Sequence, residues 1–153
     1  MGKAVFVLSR KQTQLHMYPE HIVAPMRAEL TDIGFDELQS PEAVDELVKQ
    51  DGTSLLVVNS VCGCAAGAAR PGVRLALQND TKPTRVATVF AGVDKAATDR
   101  ARQHLLPYPP SSPSIALFKD GNLVHFIERH HIEGRSAEMI AENLKMAFEE
   151  HCK

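Results

Sequence analysis

Two of the chain's three cysteines, Cys62 and Cys64, stand one glycine apart in the stretch "VVNSVCGCAAGAARPG". A disulfide closed across a single residue departs from relaxed geometry, and strain of that kind makes a bond easily reduced. The spacing therefore suits transient exchange through mixed disulfides better than durable bridging. Gly63 is expected to let the backbone bend tightly between the sulfurs, and Ala65, Ala66 and Gly67 leave them uncovered for a bulky partner. Two other readings stand beside this one. Free cysteine is among the most buried residue types, so the pair also suits a core. A zinc or iron–sulfur carrier needs about four ligands, which Cys152 and His130-His131 would have to complete from distant segments.

The remaining chemistry-bearing residues carry weaker signals. "SSPS", Ser111 to Ser114, sets Pro113 just ahead of an apolar run, where composition alone makes it a loop rigidifier. His104 is expected on a helix surface, His125 in a hairpin and His130-His131 in a polar loop, all structural or solvated. Cys152 reads as a free thiol, with a resolving or intermolecular role as the alternative. Arg70 and Arg74 read as a solvated helix face, with attraction of an anionic thiol as the alternative.

These residues need elements to hold them. "EHIVAPMRAELTDIG" spaces Ile22, Val23, Met26, Leu30 and Ile33 as a helix, interrupted early by Pro25 and ending near Gly34. "FDEL" follows as a short edge strand, then a helix capped by Ser40 with Pro41 at its first position and a stop at Gly52. "TSLLVVNS" is aliphatic on both faces, as a central strand covered by helices on both sides must be. It delivers Cys62 at its far end, where a helix N-terminus favours thiolate over thiol and depresses the pKa. The helix that follows contains Pro71, which predicts a kink and about one turn of missing backbone pairing. "RVATVFAGV" is a second buried strand, "KAATDRARQHLL" a helix, and "IALFKDGNLVHFIE" a β-hairpin turning at Asp120-Gly121. A last helix from Ser136 places Met139, Ile140, Leu144, Ala147 and Phe148 on one face.

Strands alternating with helices and a closing hairpin predict an α/β fold of thioredoxin-like order, a central mixed sheet with helices on both faces. Sites in such sheets form beyond the carboxyl ends of the strands. In that order Pro113 faces the helix bearing the cysteines and is expected to be a cis-proline beside the sulfurs.

Composition narrows the function class. With 153 residues, 44% of them hydrophobic, the chain fits one domain, assigned to residues 19–153 behind an N-terminal arm of residues 1–18,. A formal charge of -2 without a massed basic block gives no grip on nucleic acid or acidic lipid,. No apolar run approaches the roughly 20 residues that cross a bilayer. The apolar centre of "MGKAVFVLSRKQ" is about five residues against roughly 7 to 15 in a signal peptide. The expected location is cytoplasmic, and an odd cysteine count argues against a disulfide framework.

"VVNSVCGCAAGAARPG", "YPPSSPSIALFKDGNLVHFI" and "HIEGRSAEMIAENLKMAFEEHC" closely resemble the bacilliredoxin family, bacterial thioredoxin-like proteins with a Cys-Gly-Cys active site. "PMRAELTDIGFDEL" is similar to that family's first helix and strand, so the resemblance covers roughly residues 19 to 152. It implies a thiol–disulfide oxidoreductase that removes bacillithiol from cytosolic proteins protected during oxidative stress. On this resemblance Cys62 is the nucleophile, and a second bacillithiol or Cys64 resolves the adduct. Gly63, Ser112 and Pro113 shape the substrate groove. It implies no metal and no tightly bound cofactor, with bacillithiol as co-substrate and bacillithiolated proteins as partners. The rival functions are disulfide isomerisation or oxidation, and a metal or iron–sulfur carrier built on the Cys-Gly-Cys pair.

Overall fold

The computed structural model describes residues 18–153, and the arm expected ahead of them otherwise lies outside the described residues. Its centre is β2 (Thr53–Asn59), buried along its whole length. Successive side chains of a strand face opposite ways, so Leu55 and Val57 look to one side of the sheet and Leu56 and Val58 to the other. All four are removed from water. On the first face, Leu55 and Val57 pack with Leu30 of α1 (Glu20–Thr31), Val73 of α3 (Arg70–Ala76) and Leu144 of α6 (Ala137–His151). On the second, Leu56 and Val58 meet Val44 of α2 (Pro41–Val48) and Ala97 and Ala101 of α4 (Lys95–His104). The result is a three-layer α/β/α sandwich.

The sheet order is β1-β3-β2-β4-β5, with β1 at Asp36–Glu37, β3 at Arg85–Phe90, β4 at Ser114–Lys119 and β5 at Asn122–Ile127. β1 and β2 run parallel to β3, and β4 and β5 are antiparallel. This is the thioredoxin-like mixed sheet that the element order requires. The hairpin turns on Asp120 (φ 50) and Gly121 (φ 85), the left-handed pair that matches strand twist,. A bulge between Leu117 and Phe118 then shifts its register by one residue,.

The local signals at helix starts hold. Ser40 accepts from the Ala43 N–H, and Ser136 from the Met139 N–H. Four expectations need correction. Pro71 produces a π-helical turn over Ala65–Ala69 rather than a simple kink, because widening the turn absorbs the missing N–H and the clash of the ring with the preceding turn,. Met139 is 54% exposed, since it sits on the first turn of α6 beyond the edge of the packed face. His130 and His131 lie in a short helix, α5 (Arg129–Ile132), because Glu128 accepts from an N–H of its first turn while the His131 side chain accepts from the Glu128 N–H. Arg70 is only 2% exposed, for a reason that belongs to the site.

Candidate functional site

Cys62 leaves the carboxyl end of β2 and opens the next helix. Its carbonyl accepts from the N–H groups of Ala65 (3.0 Å) and Ala66 (3.3 Å), and its own N–H donates to Ser60 Oγ at 3.1 Å. A buried polar network holds this loop from behind. Asn59 Oδ1 accepts from the Ser60 N–H at 2.8 Å and from Arg70 Nη1 at 2.9 Å. Arg70 Nη1 also donates to the Ser60 carbonyl at 2.8 Å, and its Nε lies 3.1 Å from Glu29 Oε2. A chain leaving a sheet beneath a helix exposes carbonyl groups that need donors out of reach of water. Arg70 supplies them, which is why it turns inward while Arg74 stays in solvent.

The two sulfurs lie 2.9 Å apart as free thiols. Cys62 is held below the ordinary thiol range, first by the S–H donated from Cys64 and then by the Cys64 backbone N–H. The guanidinium of Arg129 and the N–H of Ala65 add to this. Cys64 is pushed the other way, by burial first and then by its bond to Cys62. The pair is therefore polarised, with Cys62 shifted toward thiolate and Cys64 toward thiol. The helix N-terminus gives the expected direction, but the neighbouring cysteine is the larger cause.

Arg129 is the residue that sequence reasoning missed. Its Nη2 donates to Cys62 Sγ at 3.2 Å, its Nη1 to the Ser112 carbonyl at 3.1 Å and its Nε to Glu133 Oε1 at 3.0 Å. It thus ties the sulfur to the loop ahead of β4. The Ser112–Pro113 peptide there is cis, and so is Leu106–Pro107, which nothing in the sequence reading anticipated. Counting the hairpin outward from Asp120-Gly121 brings this stretch to the sulfurs but does not single out Arg129, because the bulge leaves no mark in the sequence. The bulge pairs Ile115 with Ile127, and continuing that register sets Arg129 opposite Pro113. Without the bulge the opposite residue would be Glu128.

The structure brings Cys62, Cys64, Ser112 and Pro113 to one end of the sheet. A cavity of about 360 Å³ opens beside Cys62, with Ser60, Gly92, Arg102, Ser112 and Arg129 in its wall. Gly63 is exposed, its φ is not left-handed, and a Cβ there would meet nothing within 4 Å. The tight bend expected of it is therefore not what needs glycine. Cys152 lies beside Thr53, at the start of β2, whereas Cys62 follows its end. A seven-residue strand puts roughly 20 Å between them, so Cys152 is no resolving thiol for Cys62 within this chain. Among the described residues, the one group with metal-ligand proximity is Glu128, His130 and His131, and it includes neither cysteine. His104 and His125 pair with Asp45 and Asn143, each at 2.7 Å.

Comparison with known proteins identifies the family and the fold. The family model described as "Disulphide isomerase" matches residues 18–152. A bacilliredoxin of Cytophaga hutchinsonii is 66% identical over 88% of this chain and 99% of its own length. One from Koribacter versatilis is 54% identical over 89% and 94%, and one from Halalkalibacterium halodurans 52% over 89% and 95%. Among solved structures, mitochondrial thioredoxin 3 of Saccharomyces cerevisiae superposes with a TM-score of 0.54 at 17% identity, covering 77% of this chain and 96% of that one. A putative oxidoreductase with a thioredoxin fold gives 0.55 at 14% identity, over 70% and 90%. Such distant structural likeness establishes the fold.

Proposed function

The chain belongs to the bacilliredoxin family and is a thiol–disulfide oxidoreductase, and on that premise we propose that it strips bacillithiol from mixed disulfides with cytoplasmic proteins. The observation that carries the reading is the position of Cys62 Sγ, between the Cys64 thiol at 2.9 Å and the Arg129 guanidinium at 3.2 Å. A thiolate stabilised from two sides is more populated than that of an ordinary cysteine and is also a better leaving group.

The Cys62 thiolate attacks the bacillithiol sulfur of the mixed disulfide. A Cys62–bacillithiol bond forms as the protein–bacillithiol bond breaks, and the substrate cysteine departs as a thiolate. A second bacillithiol thiolate then attacks the attached bacillithiol sulfur. Oxidised bacillithiol leaves and the Cys62 thiolate returns, so the second thiol supplies the electrons. Cys64 is the internal alternative for this resolving step, and strain in a bridge across one residue makes the resulting disulfide short-lived. Ser112, Pro113 and the open space over Gly63 would form the groove that admits the substrate protein.

Disulfide isomerisation is the second reading, favoured by that same strained pair. The test is to supply reduced protein with a bacillithiolated model protein, a glutathionylated one and a scrambled disulfide protein, and to vary the small thiol. Fast release that needs bacillithiol supports the proposal. Equal turnover of all three substrates with any thiol would favour isomerisation instead. No metal is expected at the cysteines, and elemental analysis of purified protein checks this against a carrier role.

A further inference from the structure

We propose that Arg102 and Arg129 form a carboxylate-binding subsite for the small-thiol half of the mixed disulfide, one completed only when Cys62 carries that thiol. This rests on the exchange reading above and adds the charge class of thiol that the site takes.

The argument starts from the cavity beside Cys62. At about 360 Å³ it has the volume of a small-molecule site,. Two arginines, Arg102 and Arg129, line its wall, and no carboxylate-bearing residue does so among the described residues. Arg102 comes from α4. Its Nε is out of contact with water yet has no hydrogen-bond partner, and no ion pair engages its side chain among the described residues. Leaving a buried charged donor unpaired is costly, and a bidentate fork of this kind is matched best by a carboxylate.

Arg129 is occupied in the reduced protein, where Nη2 faces Cys62 Sγ. The exchange step changes that. When Cys62 bonds to the small-thiol sulfur, the negative charge leaves on the substrate cysteine, and no atoms or electrons are needed beyond those of the two disulfides. Nη2 then faces a neutral sulfur, with Nε still on Glu133 and Nη1 still on the Ser112 carbonyl. The cavity gains one unit of positive charge just as the small thiol becomes attached at its wall. A carboxylate on that thiol restores the balance. A neutral or cationic thiol does not.

The test uses one model protein carried as three mixed disulfides, with mercaptosuccinate, 2-mercaptoethanol and cysteamine. Single-turnover transfer to the reduced protein is followed by intact mass, each rate normalised to reduction of the same disulfide by dithiothreitol. We expect mercaptosuccinate to transfer fastest and cysteamine slowest, about tenfold apart at low ionic strength, the size of effect that charge complementarity gives at a partly open site. The gap should shrink with added salt. It should narrow further in Arg102→Gln and survive in part in Arg102→Lys, and the salt series on the unmodified protein decides the matter should either variant fold poorly. Equal normalised rates for all three, or an order undiminished by salt and by Arg102→Gln, would overturn the subsite and leave the exchange reading standing. Transfer of none of them would overturn the subsite, and the same model protein carried as a bacillithiol mixed disulfide then decides whether the exchange reading stands.

Discussion

Cys62 owes its character to neighbours that can be removed one at a time. Replacing Cys64 with alanine deletes the largest stabiliser of the thiolate, so the pH midpoint for alkylation of Cys62 by iodoacetamide should move up toward the free-thiol value,. Arg129→Gln should move it in the same direction by less, because the guanidinium contributes less than the Cys64 thiol. An Arg129 shift equal to or larger than that of Cys64→Ala would reverse this ranking. The linkage has a defined sign. Cys62 binds fewer protons folded than unfolded between its depressed pKa and the ordinary thiol value of about 8.5, so reduced protein should gain stability as pH rises through that window and lose it as pH falls. Above the window Cys64, whose pKa is raised, works in the opposite sense. Denaturant midpoints of the reduced protein and of Cys62→Ser across pH check this. The two cysteines were legible because their spacing is itself a chemical constraint. Arg129 and Arg70 were not, because a lone arginine in a sequence carries no sign of whether it meets water, a carbonyl or a sulfur.

At the scale of elements, the loop bearing Cys62 is fixed by what lies under it. Arg70 braces the carbonyl of Ser60 from the first turn of α3, with 2% of its surface exposed. Arg70→Leu leaves that carbonyl without its side-chain donor and Glu29 without its partner, and removes one of the two bonds to Asn59 Oδ1, so it should cost about 3 kcal/mol by denaturant unfolding,. Gly72 lies where α3 crosses α6: a Cβ there would stand 2.8 Å from Ile140 Cβ and 3.0 Å from the Ala137 carbonyl. Neither neighbour is the free end of a flexible chain. Gly72→Ala should therefore destabilise by about 1–3 kcal/mol, as overpacking does, whereas Gly63→Ala should leave the unfolding midpoint in place. Existence and type of the elements could be read from β2's aliphatic run, the Ser40-Pro41 start and the Asp-Gly turn. The π turn and the hairpin bulge could not. Each is a one-residue adjustment set by tertiary fit, and each decides which side chain faces the sulfurs.

For the molecule as a whole, β2 links core to chemistry: its side chains feed both helical layers, and its carboxyl end carries Cys62. The opposite end of the sheet holds Cys152, so Cys152→Ser should leave exchange rates unchanged, and a slowed resolving step would contradict that separation. The layer order followed from strands alternating with helices, because few topologies satisfy a buried parallel core and a closing hairpin together. The central claim is that Cys62 takes up the small thiol while the substrate cysteine departs. Its most direct test is intact mass analysis of Cys64→Ser and Cys62→Ser proteins after brief incubation with a bacillithiolated model protein. The account predicts one bacillithiol on Cys62 in Cys64→Ser, with matching release of free model protein, and an inert Cys62→Ser. Release of substrate by Cys62→Ser at the full rate, or an adduct on another cysteine, would contradict it.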